Sequence, residues 1–205
     1  MLIERPPKLF RKLFPGVLFR MPDSGMLPGT VYLTFDDGPI PEATPWVLEV
    51  LDRFGIKATF FMVGDNARRY PELVDKVKKA GHKIANHSFH HIRGLHINKQ
   101  DYMNDVELCE EITQTKLFRP PHGYMTPSQL KALKRKYKIV MFDLVTRDYS
   151  KRVNADDVVR NIKKYSRDGS IIVFHDSLKS IEKLKIALPD SLSYLQERGF
   201  RFGLL

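Results

Sequence analysis

Apolar positions along this chain change period several times, and each change marks an element. Val31-Tyr32-Leu33 leads into Thr34-Phe35 and stops at Asp36-Asp37-Gly38-Pro39. Alternating and β-branched residues followed by two acids and Gly-Pro predict a strand that ends abruptly, with both carboxylates at its C-terminal tip. At Thr44-Pro45 the period turns helical. A cap and a first-turn proline precede Trp46, Val47, Val50, Leu51 and Phe54 on one face, and Gly55 ends the helix. An unbroken apolar run over 58–63 predicts the second strand, and 71–80 predicts a helix closed by Gly81 before the short strand Lys83-Ile84-Ala85.

Tyr102, Val106, Cys109 and Ile112 place the next helix over 98–114, with Asn98 and Asp101 spaced as a capping box. Leu117-Phe118 is a brief strand, Thr126-Pro127 caps a helix to 137, and 139–142 is again a strand. Asn154 caps a helix to about residue 165, 171–174 is the sixth strand, helical segments fill 181–198, and 200–204 is the seventh strand. Strands alternating with helices, with no hairpins, predict an α/β single domain whose parallel sheet closes into a short barrel with the helices outside. Such barrels carry their chemistry in the loops after the strands.

Composition narrows the class. Hydrophobic residues make up 42% of the 205 and charged residues 28%, as in a globular chain able to bury roughly 70% of its unfolded surface. The single cysteine, Cys109, excludes an internal disulfide and a cysteine-based zinc site, and its apolar helical setting makes it a core residue. Lysine and arginine number 34 against 24 acids, a net charge of +10 that favours anionic partners. The basic residues scatter over predicted helix surfaces and no RNA-binding signature accompanies them, so no specific nucleic-acid partner is expected.

Residues 1–29 form a basic, aromatic-rich segment expected to pack on the domain spanning 30–205. In it Leu9-Phe10-Arg11-Lys12-Leu13-Phe14 and Val17-Leu18-Phe19-Arg20 are separated by Pro15-Gly16. Its apolar runs are too short for a signal-peptide core or a membrane span, and contact with a membrane surface is not expected. The compartment stays open between the cytoplasm, for a chain without a leader, and the cell envelope, for one whose leader has been removed. A monomer is expected.

Ionisable residues gather at the predicted strand ends. Asp36 and Asp37 follow the first strand, Asn86-His87-Ser88-Phe89-His90-His91 the third, Arg119-Pro120-Pro121-His122-Gly123 the fourth, Asp143 and Asp148 the fifth, and His175-Asp176 the sixth. On a helical turn His87 and His91 would face one side. With an upstream aspartate they make a set of two nitrogens and one carboxylate, suited to Zn²⁺, to non-haem iron(II) or to another first-row metal. Ser88 stands where a His-Glu metalloprotease carries its glutamate, which excludes that class. His82, after a helix-ending glycine, reads as a capping or surface residue. His90 points away from His91, and His96 lies in a loop. Asp65, Asp143 and Asp176 read as structural, with Asp176 placed to tune its histidine neighbour.

Together Thr34-Phe35-Asp36-Asp37-Gly38, His87-Ser88-Phe89-His90-His91, Arg119-Pro120-Pro121-His122-Gly123, Asp148-Tyr149 and Val173-Phe174-His175 resemble the five ordered motifs of the NodB-type polysaccharide deacetylases, carbohydrate esterase family 4. The resemblance spans roughly residues 31–176. It implies a distorted seven-stranded (β/α) barrel and a hydrolase that removes N-acetyl, or less often O-acetyl, groups from amino-sugar glycans such as peptidoglycan or chitin-like chains. It further implies one divalent metal, usually zinc with cobalt, manganese or iron as alternatives, on Asp37, His87 and His91. Asp36 would be the general base, His175 the general acid, Arg119 the partner of Asp36, and Asp148 the group that orients His175. The backbone of His122 would bind the oxyanion.

Three positions depart from the family pattern: His122 replaces a common Tyr or Trp, Tyr149 a frequent Trp, and Val173 a frequent Leu. Tyr149 and Val173 are expected to line the acetyl pocket or to back His175. Competing readings are a carbohydrate-binding protein that has lost turnover, a non-haem iron enzyme, and a nucleic-acid-binding protein resting on charge alone.

Overall fold

This computed structural model describes residues 4–23, 25 and 29–205, and the parts of the N-terminal segment at 1–3, 24 and 26–28 lie outside the described residues. The sheet is built around β1 (Thr30–Asp36), which pairs in parallel with β2 (Thr59–Met62) on one side and β7 (Ile171–His175) on the other. Beyond β2 follow β3 (Lys83–Asn86), β4 (Leu117–Phe118) and β5 (Lys138–Ile139), and beyond β7 lies β6 (Leu144–Val145). A further short strand, β8 (Arg201–Phe202), pairs with the start of β1. All these pairs are parallel, so the fold is a single-domain α/β distorted (β/α) barrel with seven strands on one curled path.

Phe35 on β1 stacks between Phe60 on β2 and Phe174 on β7, with ring centroids 5.1 and 5.7 Å away. Each buried ring contributes roughly 1.5–3 kcal/mol of transfer free energy, and a one-residue slip would turn all three out of the core. The same register sets Asp36 directly beside His175.

Of the expected strand over 139–142 only Ile139 lies in one, at the end of β5, and the chain then crosses to β6 at the opposite end of the path. The barrel therefore has a seam, and the N-terminal segment lies in it. Leu18 N–H donates to the Ile139 carbonyl (2.9 Å) and its own carbonyl accepts from Met141 (2.7 Å); Met21 donates to Gly169 (2.9 Å) and Val145 to Glu4 (2.8 Å). Backbone groups that would be left unpaired along two sheet edges are thereby satisfied. Phe19 is buried against Met141, Phe142, Val145 and Val173. Asp143 fixes this arrangement: its buried carboxylate accepts from Arg11 (2.6 Å), Arg167 (2.7 and 2.9 Å) and the Ser170 hydroxyl (2.8 Å).

Eight α-helices are described: α1 (Lys8–Lys12), α2 (Thr44–Arg53), α3 (Gly64–Arg69), α4 (Pro71–Lys79), α5 (Lys99–Thr113), α6 (Pro127–Leu133), α7 (Ala155–Tyr165) and α8 (Ile181–Glu197). Thr126 with Gln129 and Asn154 with Asp157 form complete capping boxes. At α5 the box is half made, because Asn98 accepts from the Asp101 N–H while the Asp101 carboxylate turns to the Asn98 side chain. Thr44 does not cap α2. It is the first helical residue, and its hydroxyl donates to Asp176 at 2.6 Å. His82 is buried, not at the surface: Nδ1 accepts from Ala58 N–H (3.1 Å) and the ring meets Phe60 edge-on. Cys109 lies in the core as expected. Among the described residues no helix is long and apolar enough to cross a membrane.

Candidate functional site

At the C-terminal ends of the strands a cavity of about 290 Å³ opens, and its walls include Asp36, Asp37, His87, His91, Arg119, His122, Tyr149, Val173 and His175. Asp37, His87 and His91 each offer one donor atom, and the three atoms lie within 4.8 Å of one another. His91 Nε2 is 3.1 Å and His87 Nε2 3.7 Å from Asp37 Oδ1. His87 Nδ1 is 2.8 Å from the Arg119 carbonyl, which can only accept, so Nδ1 carries the proton and the Nε2 lone pair faces the cavity. Burial pushes the pKa of His87 down to about 4, which keeps the imidazole neutral. Two imidazole nitrogens and one carboxylate, converging on a point with room beside it, fit a divalent first-row ion.

The two histidines do not converge through a helical turn, contrary to the reading from their spacing. Residues 87–91 are a loop in which Ser88 and His91 adopt left-handed backbone, φ 63° and 54°. Asn86 Oδ1 accepts from Ser88 N–H (2.8 Å), while Asp105 on α5 accepts from the N–H groups of Phe89 and His90 and holds the His90 ring at 2.5 Å. From the other side α3 donates: Gly64 N–H to the Ser88 carbonyl and Asp65 N–H to Phe89, both at 2.9 Å. Asn66 on the same helix donates to the Asp37 carbonyl (2.9 Å), steadying a residue at φ 81°. Asn86, Asp105 and the whole of α3 were missed in the sequence. Asp105 had one legible signal, a carboxylate on the buried face of an amphipathic helix.

Arg119 is buried and makes four hydrogen bonds: Nη1 donates to Asp36 Oδ1 (2.6 Å) and to the Thr34 hydroxyl (2.8 Å), Nη2 to the Met141 carbonyl (2.9 Å), and Nε to that of Val140 (3.3 Å). The guanidinium also lies over the Phe61 ring at 4.0 Å. On the neighbouring strand end, His175 Nδ1 faces Asp148 Oδ1 at 2.7 Å, and Asp148 Oδ2 accepts the His175 backbone N–H (2.8 Å). Burial alone would lower the His175 pKa, but the Asp148 carboxylate outweighs it and raises the group to about 9. Tyr149 meets the His175 ring edge-on at 4.7 Å, and Val173 lines the same cavity. His122, at φ 59°, packs edge-on against His91, and its backbone N–H has no carbonyl partner among the described residues.

The remaining acids lie apart from the cavity wall. Asp143 serves the seam and Asp65 pairs with Arg68 and Arg69. Asp176 is buried behind the turn, accepting from Gly38 N–H (3.2 Å) and Thr44. His96 is an exposed residue of a 3₁₀ turn.

A barrel of this curl with an Asp-His-His cluster and a carboxylate-histidine pair at its mouth defines the polysaccharide deacetylase class. The family model "Polysaccharide deacetylase" matches residues 24–140, and the chain belongs to that family, the NodB-type group of carbohydrate esterase family 4. It is 36% identical over 183 residues to a peptidoglycan-N-acetylglucosamine deacetylase of Bacillus cereus, covering 85% of this chain and 66% of that relative. It is 33% identical over 199 residues to a chitooligosaccharide deacetylase of Sinorhizobium fredii, covering 88% and 92% of the two chains. A crystal structure of a peptidoglycan N-acetylglucosamine deacetylase in complex with 4-naphthalen-1-yl-N-oxidanyl-benzamide superposes with a TM-score of 0.88 at 32% identity, covering 98% of this chain and 95% of that one.

Proposed function

We propose that the protein is a metal-dependent hydrolase that removes N-acetyl groups from amino-sugar glycans of the peptidoglycan or chitin type. The convergence of Asp36, Asp37, His87, His91 and His175 on one cavity supports this most directly. Asp37, His87 and His91 would hold the ion, with zinc the first choice for this donor set. When bound, such an ion polarises the acetyl carbonyl and lowers the pKa of a water toward about 7.

The chain's own groups then divide the proton traffic. Asp36, held in one rotamer by its charge-assisted hydrogen bond from Arg119, takes a proton from the attacking water; a base so placed is worth about 10²–10⁴ in rate. An amide nitrogen leaves poorly unless protonated. His175, held as imidazolium by Asp148, lines the same cavity and supplies that proton. The free His122 N–H is a donor for the developing oxyanion, worth about 10²–10³ in rate, and because it belongs to the backbone the exchange of the aromatic side chain for imidazole leaves it in place. Tyr149 and Val173 wall the acetyl group.

Acetate release from N-acetylated oligosaccharides, measured after chelation and again after adding Zn²⁺, Co²⁺, Mn²⁺ or Fe²⁺, tests the reading. Activity should vanish on chelation and return with metal, and Asp36→Asn should abolish release while the protein still binds metal. Full activity of Asp36→Asn, or glycan binding without any acetate released, would overturn it.

A further inference from the structure

Once each charge in the cavity wall is matched with its partner, a residue of positive charge is left over. Asp36 is taken by Arg119 at 2.6 Å, Asp37 faces His91 at 3.1 Å, and His175 faces Asp148 at 2.7 Å. Arg119 is buried, and four of its five N–H donors are committed to Asp36, Thr34 and two carbonyls. Two cations remain at the mouth, Arg93 and Lys179. Both are exposed, and neither pairs with a carboxylate among the described residues. They come from separate loops, Arg93 after β3 and Lys179 after β7, so that β2 and β1 lie between their parent strands. Arg93 is further steadied over the Tyr124 ring, 5.5 Å from its centroid.

A neutral polymer of acetylated glucosamine offers these cations only hydroxyls. A glycan that carries carboxylates beside its acetamido sugars offers counter-charges on either side of the acetamide being cleaved. We propose that Arg93 and Lys179 make the site selective for carboxylate-bearing amino-sugar glycans over neutral chitin-like oligomers. This rests on the deacetylase reading above and chooses between the two substrate types it leaves open. The overall charge of +10 acts in the same direction by raising the local concentration of an anionic polymer. Exposed ion pairs are individually weak and screened by salt, so the two together should give about a three- to tenfold preference in kcat/KM, expressed mainly in KM.

The test compares three substrates of equal length: a neutral N-acetylglucosamine oligomer, a peptide-free glycan whose alternate sugars carry a free lactyl carboxylate, and the same glycan bearing acidic stem peptides. The quantity read is the ratio of kcat/KM on each anionic substrate to that on the neutral one, for the wild type, Arg93→Gln, Lys179→Gln, the double variant and the reversal Arg93→Glu with Lys179→Glu. The ratio should exceed unity in the wild type, fall toward unity in the double variant, drop below unity on reversal, and shrink with added salt only where the cations are present. Which anionic substrate shows the effect identifies the sugar or the peptide as the source of the carboxylate. Equal ratios in the wild type and the double variant on both anionic substrates overturn the inference and leave the deacetylase reading intact. No acetate from any of the three overturns both.

Discussion

Arg119 Nη1 lies 2.6 Å from Asp36 Oδ1, and both side chains are almost wholly removed from water. The pair links the loop after β4 to the tip of β1, so neither residue can be changed without affecting the other. Removing the guanidinium strands a buried carboxylate, which typically costs about 3–5 kcal/mol.

Arg119→Met should therefore lower stability by about that amount and turnover by about 100-fold. Arg119→Lys should rescue little, because a single ammonium cannot reach Asp36, Thr34 and the two carbonyls together. Urea denaturation and acetate release on the same samples check both. A lysine variant with wild-type stability would show that the fork geometry is unimportant.

His175 is held protonated to about pH 9 by Asp148. Its acid form is present below that value and lost as pH rises through it, so the alkaline limb of the rate profile should fall near pH 9. In Asp148→Asn the largest countercharge is gone and burial is opposed only by Asp37 and Asp36, which moves that limb to lower pH. Initial rates between pH 6 and pH 10 for the two proteins supply the comparison, and an unmoved limb would assign it to another group.

Asp143 has its pKa lowered from 3.8 to about 2: burial opposes the shift, but Arg167, Ser170 and Arg11 prevail. A carboxyl held below its unfolded value stabilises the fold above pH 3.8 and loses that contribution as the pH falls toward 2. The contribution is worth about 2 kcal/mol at neutral pH. Asp143→Asn should flatten the stability profile between pH 4 and pH 2, besides loosening the N-terminal segment. Thermal melts across that range, with hydrogen exchange at Leu18 and Met21, read both effects.

Gly38 has no room for a side chain, since a Cβ there would sit 2.0 Å from Asp176 Oδ2. Asp176 is itself fixed by Thr44 and cannot withdraw. Gly38→Ala should cost about 1–3 kcal/mol and weaken metal binding through the neighbouring Asp37. A melting curve and a zinc titration test this; a variant with both unchanged would show that the turn yields freely.

Much of this could be read in one dimension because the physics is local. Period and punctuation place β1, β2, α2, α5 and α7, and acids after an apolar strand mark where a parallel barrel keeps its chemistry. Asp36, Asp37, His87, His91, Arg119, His122, Tyr149, Val173 and His175 all line the one cavity, with Asp148 behind His175. The helical turn assumed for His87 and His91 was wrong because spacing says nothing about left-handed backbone at Ser88 and His91.

What the chain decides by itself is which residues end the strands and what they can donate, accept or ligate, since those follow from side-chain chemistry and neighbours in sequence. Only the folded molecule decides that α3 grips both Asp37 and the histidine loop, that Asp105 shapes that loop, that residues 4–21 occupy the seam between β5 and β6, and that Arg93 and Lys179 have no counter-charge among the described residues. Each of these is a contact between segments far apart along the backbone. No periodicity carries such contacts, because they depend on where the register of Phe35, Phe60 and Phe174 brings the strand ends to rest.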